Sequence, residues 1–117
     1  MLDRNALRDL QAVIGGDRAD LEELIGEFIE DAPLQLADMA RAAGAADTET
    51  VRRGAHSLKS NARDLGAVDF ARLCAALEQE LNTPGFGGNL SERVKEIAAL
   101  WPEVLFALKA EIGGSES

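Results

Sequence analysis

Leu90, Val94, Ile97, Trp101, Val104, Leu108 and Ile112 follow one another in steps of four and three residues. That spacing lays one apolar stripe along an α-helix, as a helix packed among other helices requires. The rest of the chain has the same character. No stretch shows the two-residue period or the β-branched enrichment of a strand, so the fold class is all-α.

Breakers and caps divide the chain into five helices. A short first helix, from Asp3 to Ile14, stops at Gly15-Gly16, and Asp17 is placed to cap the second. The second carries Leu21, Leu24, Ile25, Phe28, Ile29, Leu36 and Met39 on one stripe and fades near Gly44. Pro33 lies inside it and predicts a kink rather than two separate helices. Asp47 opens a third helix that runs to Leu65 and ends at Gly66. The fourth turns Phe70, Leu73, Cys74, Leu77 and Leu81 inward and stops at the breaker-rich segment from Asn82 to Asn89. The fifth is the stripe from Leu90 to Ile112, and Gly113 to Ser117 reads as a frayed tail.

Short connections between long amphipathic helices make neighbours antiparallel. The expected architecture is an antiparallel up-and-down four-helix bundle with the short first helix covering one end. All 117 residues are expected to form one domain. Trp101, Phe106 and Leu108 read as core by their spacing rather than as a binding box.

Charge narrows the partners. A formal net charge of −9 disfavours nucleic acid and anionic membranes, both of which reward clustered Lys and Arg. No run approaches the length of a membrane span, and the N-terminus lacks the pattern of a secretory signal. The lone cysteine, Cys74, suits a reducing compartment, and we expect a cytoplasmic monomer. Against the acidic background, Val51 to Arg63 holds Arg52, Arg53, Lys59 and Arg63 and no carboxylate.

That basic stretch surrounds the only histidine. At about 100° per residue, Val51, Ala55, Leu58, Ala62 and Leu65 fall within about 40° of one direction, which is the core face. His56 falls about 140° away, with Lys59 near 80°, Arg52 near 100°, Arg63 near 120° and Ser60 near 180°. A metal site is not expected, because no second His or Cys stands three or four residues off and Glu49 and Asp64 point elsewhere. Ser57 and Ser60 share the helix of His56 with no oxyanion-hole sequence, which argues against a hydrolase triad. Nearby cations favour a group that is neutral before reaction and anionic after it, as a phosphoryl acceptor is. Gly54, Ala55, Ser57 and Ser60 are small enough for another protein to approach, and Gly54 inside a helix implies a packing or docking reason.

The segment Ala55-His56-Ser57-Leu58-Lys59-Ser60-Asn61-Ala62-Arg63-Asp64-Leu65-Gly66-Ala67, followed by Leu73-Cys74 and Leu77-Glu78, resembles the signature of histidine-phosphotransfer domains of bacterial phosphorelays. Leu24-Ile25, Phe28 to Pro33 and Leu36 resemble the family's preceding helix, so the similarity covers nearly the whole chain. The resemblance implies that His56 is phosphorylated and that Lys59 helps hold the phosphoryl oxygens. Ser60 departs from the family's usual glycine; its hydroxyl either donates to the phosphoryl group or crowds an approaching partner. Arg63, two turns from His56, is a further phosphoryl contact or a solvated cation. Arg52, Gly54 and Ser57 complete the expected docking face.

The implied activity is carriage of a phosphoryl group from the aspartate of one receiver domain to that of another. Receiver domains and a hybrid sensor kinase are the implied partners, and the receiver is expected to supply the magnesium ion. With no cofactor of its own and no glycine-rich phosphate loop, the chain is not expected to phosphorylate itself from ATP. The alternative is a helical adaptor that binds or sequesters receivers without taking phosphate. A bundle with an inert histidine is the third reading.

Overall fold

The computed structural model describes residues 2–113, and these form helices without strands. In chain order they are α1 (Arg4–Val13), α2 (Arg18–Gly44), α3 (Thr48–Asp64), α4 (Val68–Asn82) and α5 (Leu90–Gly113). The frayed tail expected from residue 113 onward otherwise lies outside the described residues. Asp3, Asp17 and Asp47 cap the first three helices, each accepting a backbone N–H of the first turn. Hydrogen bonds from Thr50 to the Asp47 carboxylate hold its pKa below the ordinary value. Pro33 is accommodated within one continuous α2.

The four longer helices touch in a closed cycle, α2 on α3, α3 on α4, α4 on α5 and α5 on α2. Val51, Ala55, Leu58 and Ala62 are wholly buried, and Leu65 nearly so, which fixes the rotation of α3 as its sequence predicts. Trp101 of α5 meets Phe28 of α2 edge-on at 5.6 Å and Phe70 of α4 at 5.8 Å between ring centroids. These pairs tie three helices together at one level of the core. Cys74 of α4 is also buried, and burial pushes its thiol up to about 12, which disfavours the reactive thiolate. Phe106 is the exception to the expected core. It is 79% exposed while Trp101 and Leu108 on the same helix are buried.

Two turns show how the helices are joined. At the end of α3, Gly66 takes φ of +84°, and the N–H groups of Gly66 and Ala67 close onto Arg63 and Ala62. The same glycine lets the N-terminal strap approach, since Asp3 N–H donates to Gly66 O at 2.7 Å and a Cβ there would sit 2.6 Å from Asp3 O. Arg4 and Arg18 then pair with Glu111 at the far end of α5. At the end of α2 the left-handed residue is Ala46, at φ of +56°, whereas Gly44 is still helical.

That position stores avoidable strain, because a Cβ in the left-handed region costs about 1–2 kcal/mol. Ala46→Gly should therefore stabilise the chain by up to about 1 kcal/mol, since glycine's extra unfolded-state entropy offsets part of the gain. Leu58→Ala should lose about 2–5 kcal/mol. Denaturant midpoints check both, and a lower midpoint for Ala46→Gly contradicts the turn assignment.

Candidate functional site

His56 stands on the solvent side of α3 with its side chain 58% exposed. The fourth helix reaches it from beside. Cys74 and Leu77 are buried against the core, and the next residue, Glu78, lies at the rim with its side chain only 12% exposed. One Glu78 oxygen lies 2.6 Å from His56 Nδ1, and the other accepts from Lys59 Nζ at 2.6 Å. Lys59 is one turn from His56 on the same face of α3, so a single carboxylate holds both.

The hydrogen bond from Lys59, with a second from His56, keeps the Glu78 carboxyl below its ordinary value of 4.5. An ionised carboxylate can only accept, so His56 Nδ1 carries the proton of this bond. In the neutral ring Nε2 then holds a free lone pair, and it has no partner among the described residues.

The expected basic face is divided by these contacts. Arg52 is held by both oxygens of Glu49, at 3.0 and 2.5 Å, and Arg53 lies 4.0 Å from the same carboxylate. Glu49 lies two turns before His56 on nearly the same face of α3, contrary to the sequence reading, and compensates the arginine that sequence left unpaired. Burial in the second half of the site differs again. Gly54 faces α2, where a Cβ would lie 2.6 Å from Met39 Cγ, so packing accounts for that glycine. Ser57 also turns to α2 and accepts from Gln35 Nε2 at 3.3 Å. Ser60 is half-buried, and Arg63 is exposed without an ion pair among the described residues.

Sequence reasoning included Glu78 in the resemblance and gave it no role. No group of three or more His, Cys, Asp or Glu side chains among the described residues is arranged to hold a metal. Nor, among them, is any helix long and apolar enough to cross a membrane.

The comparisons fit this geometry. The Hpt domain family matches residues 23–114. The chain belongs to the Hpt domain family. A similar solved structure is histidine-containing phosphotransfer protein B (HptB) from Pseudomonas aeruginosa PAO1, at 26% identity and a TM-score of 0.82. The match covers 94% of this chain and 92% of that one. No curated protein sequence matches. As an Hpt domain the chain is a histidine phosphotransfer carrier of phosphorelays.

Two measurements test the carboxylate's part. Imidazole ¹⁵N shifts of the neutral ring should show the proton on Nδ1 in the wild type and move toward the other tautomer in Glu78→Ala. A group with a lowered pKa contributes stability above its unfolded value and loses it as pH falls through the folded one. The stability difference between wild type and Glu78→Gln should therefore be full above pH 4.5 and shrink on further acidification. A difference that grows in acid contradicts the pairing.

Proposed function

We propose that His56 is the phosphoacceptor and that Nε2 is the reacting atom. The observation that carries this is the Glu78 carboxylate on Nδ1 of an exposed ring, which leaves the other nitrogen without a partner among the described residues. The Nε2 lone pair attacks the phosphorus of a receiver's aspartyl phosphate, a P–N bond forms, and the P–O bond to the aspartate breaks. The aspartate leaves as a carboxylate. Positive charge develops on the ring as the lone pair is shared, and Glu78 stabilises it from the opposite nitrogen without taking the Nδ1 proton. Return to a second receiver reverses these bonds.

Lys59 is the cation for the phosphoryl oxygens, with Glu78 setting its position. Among the described residues Ser60 offers a hydroxyl without an internal partner and Arg63 a guanidinium without an ion pair, both on the same helix. Arg52 and Ser57 lie toward the edges of the docking face. The receiver supplies the magnesium ion, and a sensor kinase supplies the phosphoryl group at the head of the relay; this chain takes no phosphate from ATP. We read the cycle of helices as an antiparallel four-helix bundle forming one domain, working in the cytoplasm.

Incubation with a radiolabelled phospho-receiver tests the assignment. The wild type should acquire acid-labile label, and His56→Gln should fold with none. Lys59→Ala should transfer at least about tenfold more slowly from saturating donor, as expected when a charged contact to the transferred group is lost. Label on His56→Gln overturns the site, and binding of wild type without label returns the adaptor.

A further inference from the structure

A second cation stands one turn before His56. Arg52 precedes the histidine by four residues, which at about 100° and about 1.5 Å per residue sets it about 40° from His56 and about 6 Å along the axis of α3. Lys59 lies one turn after the histidine, so the two cations bracket the ring. Side chains on a helix lean toward its N-terminus, which carries the His56 ring over the turn that holds Arg52. The same lean takes Arg52 back to Glu49, where its guanidinium donates to both carboxylate oxygens. That bond raises the Arg52 pKa above its ordinary value, and the charge of Glu78 adds to it. Arg52 is therefore within electrostatic reach of the carboxylate that touches His56.

The hold of Glu49 on Arg52 is one that a phosphoryl group can break. The Glu49 side chain is 58% exposed, and such a pair is weak because water and salt screen it. Arg53 lies 4.0 Å from the same carboxylate, so Glu49 keeps a cation when Arg52 leaves. A phosphoryl group on His56 brings about two negative charges and three acceptor oxygens to within one turn of Arg52. On the other flank Lys59 is shared with Glu78, which stays on His56 Nδ1, so Lys59 neutralises only part of the new charge. A planar guanidinium meets two phosphoryl oxygens at once, which an ammonium does not.

We propose that Arg52 is a second phosphoryl-binding residue, latched by Glu49 in the unphosphorylated chain: on phosphorylation of His56 its guanidinium leaves Glu49 and donates to two phosphoryl oxygens, while Arg53 takes over the carboxylate. The proposal rests on His56 as the phosphoacceptor, and it gives Arg52 a part beyond docking. The Glu49 bond stabilises only the unphosphorylated form and the phosphoryl contact only the phosphorylated one. Together they set how far the group favours this chain over the receiver.

The equilibrium constant for phosphoryl exchange with a radiolabelled phospho-receiver tests this, measured with both proteins dilute enough to be mostly unbound. It depends only on the free energies of the separate proteins, so a residue that serves docking alone leaves it unchanged. Arg52→Ala should shift the constant toward the phospho-receiver at least about fivefold, as for a lost charge-assisted contact. Arg52→Lys should restore only part of the loss. Glu49→Ala should shift the constant toward the phosphorylated chain, and it should lose most of that effect in the Arg52→Ala background. Helical circular dichroism checks that α3 is intact in each variant. An Arg52→Ala constant equal to the wild type's, or a Glu49→Ala effect undiminished without Arg52, overturns the proposal while His56 stands. Label retained on His56→Gln overturns the phosphoacceptor assignment and the proposal with it.

Discussion

The packing of α3 against α4 is the constraint on which the site depends. Val51, Ala55, Leu58 and Ala62 on one helix and Phe70, Cys74 and Leu77 on the other are buried, so neither helix can rotate without exposing its stripe. Rotation is what aims the side chains at the rim. With both helices fixed, Glu78 follows Leu77 to the edge of the seam and meets His56 and Lys59 there. Core residues with no chemistry of their own thereby set the direction of an imidazole ring. A cavity in this seam should disturb transfer through geometry as well as through stability.

The electrostatics of the site are those of a compensated cluster rather than a bare basic patch. Glu49 takes Arg52 and Glu78 takes Lys59, leaving Arg63 as the exposed cation without an ion pair on that side among the described residues. An acidic chain of net charge −9 can thus present a histidine to an anionic group without a broad positive field. The arrangement also separates two tasks. On the proposed reading Lys59, placed by its partner, meets the transferred group, while Arg63, without an ion pair among the described residues, acts at longer range on an approaching protein.

The rotation of α3 was legible because one helix has one period, and its five apolar positions define a single direction that the structure reproduces. Glu78 was not legible as a partner. It lies 22 residues from His56 on another helix, and no single-helix periodicity reports which neighbour's side chain arrives at a rim. Gly54 was ambiguous for the same reason, since Met39 comes from α2. The Glu49 pair with Arg52 was available in the i, i+3 spacing and was missed by treating the segment from Val51 as a unit. Phe106 failed differently. Its spacing from Trp101 and Leu108 was read as core, but the stripe through those two residues already occupies the inner face, and Phe106 falls outside it.

On the proposed reading, the Glu78 carboxylate decides which imidazole nitrogen carries the phosphoryl group. Heteronuclear NMR of the ¹⁵N-labelled chain, phosphorylated by its receiver, reads this directly through phosphorus coupling to the ring nitrogens. The account predicts coupling to Nε2 of His56, with the proton retained on Nδ1. Phosphorus bonded to Nδ1 would contradict it.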